Sequence, residues 1–387
     1  MRKIVVIGGG PSGLFFALMA RRRLGVDVEV YEQNPRDATF GFGVILAEGG
    51  HGAFRDADPE AADAMAAASR MTRDRILSLD GESVEIEGGP WGGAIARIAL
   101  LNVLQEICER RGVRVTYGER IENPDRFDAD LIVGADGVNS VVRRGYEGQF
   151  GASSWTLKNR MAWYGTTCHY DKPILSFQRT GKGNFWAVGY SHSDSQSTFV
   201  AECDADAWQR SGLCRMTMEE RRGFAEGIFA RELAGHPLLS NRSDWSSLPV
   251  MRCAQWSVGH RVLIGDARCS PHPSIGSGTR IAMEDAIALI RALEAHRHDV
   301  PSALAEFQRQ HLPQSNKLVL AMEKSFQWYE DVGDKLCSQD VVELAFDYMT
   351  RTGRLSESRL RAEYPEFMAQ YGSRWEQWRH GREVLNS

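Results

Sequence analysis

Gly8, Gly10 and Gly13 stand in the spacing GxGxxG, with Pro11 and Ser12 between the last two and a carboxylate, Glu32, further along beside Gln33. Each residue type suits one task in holding a dinucleotide. The first glycine permits a tight turn, the second lets backbone N–H groups approach a pyrophosphate, and the third lets a helix lie close on a strand. The helix N-terminus adds partial positive charge. Glu32 is spaced to accept hydrogen bonds from a ribose 2′-hydroxyl, which favours FAD or NAD over NADP.

A second cluster, "GDARCSPHPSIGSGTRIAMEDA", occupies residues 265–286. NAD alone gives no reason for such a turn so far along the chain. FAD does, because its ribityl chain and isoalloxazine must be held too. Asp266 ends an apolar run and could accept hydrogen bonds from ribityl hydroxyls. Pro271 and Pro273 stiffen the turn, Gly276 and Gly278 allow backbone to approach a flat ring, and a helical pattern begins at Thr279. The positive end of that helix would favour negative charge on a reduced flavin. A third motif, "GADGVNSVVR" (134–143), puts Asp136-Gly137 after an apolar strand pattern.

The elements that must position these groups are visible in outline. "KIVVIG" and "VDVEVYEQ" read as buried strands around a helix that carries Arg21, Arg22 and Arg23 in its last turn and stops at Gly25. "GFGV" (41–44) reads as a glycine-hinged loop, and "RILSLDGESVEIEGG" as a hairpin turning at Asp80-Gly81. Residues 95–112 form an amphipathic helix closed by Gly112. From about residue 159 the chain turns aromatic and β-branched, predicting an antiparallel sheet of four strands or more, followed by a helical pair near 217–235. "RVLIGD" returns to the buried-strand pattern, and the tail from Pro301 is mostly helical. The first unit is therefore discontinuous.

Composition excludes several classes. The chain has 387 residues, 43% hydrophobic and 25% charged, with a net charge of −5. No basic field awaits nucleic acid, and no apolar run reaches the length that spans a bilayer. Seven cysteines, without a CxxC pair, read as reduced thiols in a cytoplasmic protein with no cleavable leader. No His/Cys/Asp cluster has metal-ligand spacing, and no GxSxG nucleophile turn is present.

Together the three motifs resemble the flavoprotein aromatic hydroxylases, the p-hydroxybenzoate hydroxylase family. "GFGVIL", "SIGSGTRIAMEDAIAL", "TFVAECDADAWQRSGL", "SFQWYEDV" and "FDYMTRTGRL" are similar to its salicylyl-CoA and 2-aminobenzoyl-CoA hydroxylase branch. The resemblance implies an α/β (α+β) fold: a Rossmann-like FAD-binding domain (1–75, 95–158, 250–300), an inserted antiparallel-sheet substrate domain (76–94, 159–249) and a helical C-terminal region (301–387). It implies hydroxylation of an electron-rich aromatic ring with NADH or NADPH and O2 through a flavin C4a-hydroperoxide. The implied substrate is an aryl-CoA thioester, or alternatively a free or carrier-bound aromatic or indole acid; a homodimer is compatible with it.

By position, Gly8, Gly10, Pro11, Ser12, Gly13, Glu32 and Gln33 would hold the ADP half of FAD. Arg97 would meet its phosphates, and Asp136 and Gly137 would contact flavin and pyridine nucleotide. Gly43 and Val44 would flank the ring, with Asp266, Pro273, Gly276, Gly278 and Thr279 around it. Tyr190 and His192 are the catalytic candidates, as groups able to draw on a phenol or aniline proton; His169, His51 and His272 are others. Arg221, Arg222 and Arg242 could meet CoA phosphates. Arg268-Cys269 departs from the family's usual Ala-His. A halogenase is disfavoured because "DWSSLP" (244–249) is not the WxWxIP motif. A redox-silent binding protein on the same scaffold would not need intact glycine and Asp266 turns.

Overall fold

The computed structural model describes residues 1–241, 243–270, 272–297 and 299–385. Among these residues the strands form four sheets. The first is a six-stranded sheet with Lys3–Ile7 at its centre, hydrogen-bonded in parallel to Asp27–Glu32 on one side and Leu131–Gly134 on the other. Arg114–Tyr117 and Arg261–Leu263 extend it in parallel, and Ser257–Val258 closes one edge antiparallel. Strands buried on both faces need continuous apolar runs, and Ile4, Val5 and Val6 are wholly buried. Helices Pro11–Leu24, Arg97–Arg110 and Gly278–His296 build the main core with it. Gly25, at φ 67°, ends the first of these, and Arg23 pairs with Glu294 on the third.

The second sheet has seven strands in the order Leu238–Leu239, Arg160–Thr166, Ser197–Cys203, Gly183–Ser191, Ile174–Thr180, Arg75–Leu79, Glu82–Ile86. The aromatic run thus gives more than the expected antiparallel strands: Arg75–Leu79 joins in parallel beside Ile174–Thr180 and turns at Asp80-Gly81 into Glu82–Ile86. Strand alternation splits its side chains. Phe185, Phe199 and Cys203 face an outer cluster with Trp208 and Phe229, while Leu77, Phe177 and Trp186 face the C-terminal helices. Those helices include Val300–Glu330, which runs through Pro313, and Val341–Thr350.

Two small sheets tie the layers together. Gly43–Ala47 pairs with Gly92–Ala96, which pairs with Arg70–Thr72. The expected hinge at 41–44 is therefore half strand: Gly43 pairs with Ala96, so the bend is confined to Gly41 and Phe42. Likewise Gly92–Ala96 is strand where helix was expected to begin, and the helix opens at Arg97. Among the described residues no helix is long and apolar enough to cross a membrane.

Candidate active site

The three glycine-bearing motifs meet at one place. Gly8 sits at φ 107°, and a Cβ there would overlap the carbonyl of Ala135, just before Asp136. A Cβ on Gly13 would overlap the Gly8 carbonyl oxygen, so only glycine lets the helix start this close to the strand. The distant Gly265, at φ 60°, would bring a Cβ to 2.9 Å from Ser12 Oγ. The Asp266 turn thus rests on the N-terminal loop. Beside Gly10 there is open space for a ligand.

Charged groups around this junction are left unspent. Arg97 opens its helix, its backbone N–H donating to the Phe42 carbonyl at 2.7 Å. Its buried Nε has no hydrogen-bond partner. Burial pulls the Arg97 pKa down, and the nearby carboxylates of Asp266 and Glu32 oppose it. Asp266 is open to the cleft yet ringed by protein atoms; this crowding pushes its carboxyl up to about 6 against the attraction of Arg97. Asp136 accepts the Val141 N–H at 2.7 Å through Oδ2, while Oδ1 is buried without a partner and burial raises its pKa.

Glu32 accepts from the Gly9 N–H at 2.8 Å and from the Asn34 N–H at 2.8 Å, which holds the loop and fixes the carboxylate at the strand end. Arg143 joins the other two motifs, donating to the Ala267 carbonyl at 2.7 Å. An unpartnered cation beside open backbone suits a diphosphate, and acceptors at Asp266 and Asp136 suit hydroxyl or amide donors. These residues fit FAD. Pro11, Gly276, Gly278 and Thr279 are half-buried around the same turns, Ser12 is buried, and Gln33 and Pro273 are exposed.

The Arg268-Cys269 departure has a structural reason. Arg268 is buried and donates to Asp285 through Nε at 2.9 Å and Nη2 at 3.0 Å, with its guanidinium 4.1 Å from the Trp256 ring centroid. Asp285 also accepts the Gly265 N–H at 2.9 Å and faces His311 Nε2 at 3.0 Å. Burial would raise the Asp285 carboxyl, but Arg268 and His311 outweigh it and hold it low. Arg268 thus anchors the turn from beneath. Cys269 packs with Leu157, Val250, Met322 and Phe326, and burial raises its thiol pKa, away from thiolate reactivity.

On the opposite side the 41–44 segment lies against the seven-stranded sheet. Tyr190 donates its hydroxyl to the Gly43 carbonyl at 2.8 Å, and the Gly43 N–H donates to Thr198 Oγ1 at 2.8 Å. Thr198 Oγ1 meets His192 Nδ1 at 3.2 Å, and a Cβ on Gly43 would sit 2.7 Å from that nitrogen. Gly41 approaches the Trp163 ring, and Asn241 Nδ2 donates to its carbonyl at 2.6 Å. Burial raises the Tyr190 pKa and lowers that of His192 to about 4, so both are neutral at ordinary pH. Tyr190 therefore holds the predicted flavin-flanking segment directly, and His192 lies beside it and acts through Thr198.

The other candidates lie elsewhere. His272 accepts the Ser274 N–H at 3.1 Å and packs against Phe326 and Tyr329. His169 sits at the sheet's rim near Arg70 and Asp171. Arg221 pairs with Asp244, and Arg222 with Glu219, so both charges are locally matched. Arg242, Pro271 and the His51 side chain lie outside the described residues.

Sequence reasoning missed two groups. Glu202 is a buried acid on the inner sheet face, pushed up to about 7 by burial, with Asn159 Nδ2 donating to it at 3.1 Å. Its place in an alternating strand was a usable signal, since an acid on the apolar-facing register is unexpected. Arg351 donates to the Ser274 carbonyl at 2.9 Å, bracing the Pro273–Ile275 turn from the C-terminal helices; "FDYMTRTGRL" carries it, but nothing local says where it reaches.

Comparison with known proteins identifies the family. Residues 101–320 match the FAD binding domain family, and residues 6–39 match an NAD(P)-binding Rossmann-like domain. A salicyloyl-CoA 5-hydroxylase from Streptomyces sp is 36% identical over 361 residues, 90% of this chain and 70% of the relative. A 3-hydroxy-4-methyl-anthranilyl-[aryl-carrier protein] 5-monooxygenase from Streptosporangium sibiricum is 37% identical over 298 residues, 75% of this chain and 79% of the relative. The tetrameric form of 2-methyl-3-hydroxypyridine-5-carboxylic acid oxygenase superposes with TM-score 0.71 at 20% identity, over 94% of this chain and 96% of that one. The chain belongs to the FAD-binding family of flavin-dependent aromatic monooxygenases.

Proposed function

We propose that this enzyme hydroxylates an electron-rich benzenoid ring carried as a CoA thioester, with salicyloyl-CoA and 2-aminobenzoyl-CoA as the first substrates to test. The overall change inserts one atom of O2 into an aryl C–H bond and reduces the other to water, with NADH or NADPH giving two electrons and a further proton coming from solvent. FAD, when bound, would relay that electron pair to O2 and activate the oxygen. Gly8 to Gly13, Glu32 and Arg97 would hold its ADP half, and Asp136, Asp266 and the Gly276–Thr279 turn its flavin half.

The observation that carries the reading is the meeting of the 41–44 segment with the aromatic sheet face, at Trp163, Tyr190 and Thr198. It would set the expected flavin edge against the buried side chains of Tyr190, His192 and Thr198, where water would be excluded and reactive oxygen not wasted as peroxide. Neutral Tyr190 and His192 would position that edge. The CoA assignment is supported by the name of the first relative above. The second relative favours one other reading, an aryl group on a carrier protein. Seven free cysteines among the described residues support a reducing compartment, the cytoplasm.

The test is turnover by the purified holoenzyme with NADH or NADPH under labelled O2, offering each CoA thioester, the free acids and a carrier-tethered aryl group. The reading predicts a product that gains one labelled oxygen atom with a CoA thioester. Hydroxylation of the free acid or carrier-tethered substrate alone would replace it.

A further inference from the structure

Two cavities at the C-terminal helices share one residue, Arg351. The smaller, about 160 Å³, is walled by Ile275 of the Pro273–Ile275 turn together with Arg75, Tyr348 and Tyr364. The larger is a cleft of about 690 Å³ along helix Val300–Glu330, lined by Trp155, Lys324, Trp328, Lys335 and Asp347 among others. The first can hold little more than a single ring, by analogy with a ~150 Å³ cavity that takes benzene. The second has the volume of a site for a large organic ligand.

Charge and surface chemistry narrow the ligand. Glu323 is paired with Arg252, and Asp347 with Lys335, so two of the acids lining the cleft are already matched. Lys324 and Arg351 have no carboxylate partner among the described residues. The Arg351 guanidinium donates to the Ser274 and Tyr348 carbonyls and to Ser325 Oγ, all uncharged oxygens. Trp155 is 40% exposed, an unusual place for an indole, with Arg252 over its ring at 5.6 Å. An exposed aromatic face, an unmatched ammonium and a second cavity that shares Arg351 and reaches Ile275 of the Pro273–Ile275 turn together suit a nucleotide on a long flexible arm.

Resting on the CoA reading above, we propose that this cleft binds the nucleotide handle of the aryl-CoA thioester. Adenine stacks on Trp155, Lys324 meets a phosphate, and the pantetheine arm passes Arg351 into the smaller cavity beside Ile275. A charge-assisted phosphate contact and a base–aromatic stack are each strong enough to read in affinity.

The test titrates free CoA into the holoenzyme by calorimetry, with Trp91→Ala as a control for an exposed tryptophan elsewhere. Lys324→Glu should weaken CoA about tenfold and Trp155→Ala about fivefold, with flavin content and melting temperature unchanged. CoA should also protect Lys324 from acetylation in the wild-type protein, read by mass spectrometry. Unprotected Lys324, with both variants binding CoA like wild type, overturns the site even if salicyloyl-CoA is hydroxylated. Protection of Lys324 by CoA without turnover of any CoA thioester upholds the site and sinks the substrate reading instead. Equal protection by phosphopantetheine lacking the nucleotide overturns the adenine assignment in favour of a carrier-bound arm.

Discussion

The cofactor cradle and the sheet wall facing it handle polar groups in opposite ways. In the cradle, side chains are missing where backbone must pass closely, as at Gly8 and Gly13, and polar atoms at Arg97 and Asp136 lack partners. On the wall, Tyr190, Thr198 and His192 engage one another and Gly43. An unpartnered buried polar atom costs about 1–3 kcal/mol, so the cradle is a surface that only a ligand completes. On the wall the polar groups that meet Gly43 are satisfied, while Trp163 Nε1 is left without a partner. The difference teaches that binding and positioning are divided between the two layers, with the 41–44 segment as their seam.

The largest break in that contrast should come from filling the cradle. Gly13→Ala puts a methyl into the Gly8 carbonyl, and the purified variant should carry no visible flavin absorbance. Next is the support beneath the Asp266 turn. Asp285→Ala leaves buried Arg268 without its carboxylate and should lower unfolding stability by about 3–5 kcal/mol in denaturant titration. Replacing Arg268 and Asp285 together by apolar residues should recover most of that loss.

Glu202 sharpens the comparison by pH, because it is a buried acid on the same sheet as Tyr190 and Thr198. Its folded pKa, about 7, lies above the ordinary glutamate value of 4.5, so its stability contribution is full below about pH 4.5 and is lost as pH rises through 7. Glu202→Gln should therefore gain on the wild type as pH rises from 5 to 9, by roughly 3 kcal/mol at the alkaline end. A constant difference across that range would show that the carboxyl titrates normally. A smaller effect is expected from Tyr190→Phe, which strands the Gly43 carbonyl and should cost about 1–3 kcal/mol. It should also perturb the flavin spectrum, which a purely remote residue would not.

Legibility in the sequence follows the same division. The cradle could be read because its demands are local: a glycine spacing, a carboxylate at a strand end, an aspartate after an apolar run. The convergence of Gly265 on Ser12 then followed from asking which single ligand needs both. The wall could be read only as aromatic strands, since the bonds that give it meaning join Tyr190 to Gly43 and Asn241 to Gly41 across most of the first two units. The hairpin at Asp80-Gly81 was legible, but its parallel pairing with Ile174–Thr180 was not, because alternation does not say which neighbour a strand takes. Arg268 looked like a departure from a family pattern until Asp285 and Ser315 supplied its partners.

The convergence of the three motifs on one FAD is tested most directly by titrating apoprotein with FAD and following quenching of flavin fluorescence, comparing wild type with Arg97→Ala and Asp266→Ala. Each residue would touch a different half of the expected cofactor, and each loss would remove a charged contact of about 1.5–3 kcal/mol, so both dissociation constants should rise at least about tenfold while the apoproteins melt normally. If either variant bound FAD as tightly as the wild type, the two turns would not be serving the same ligand.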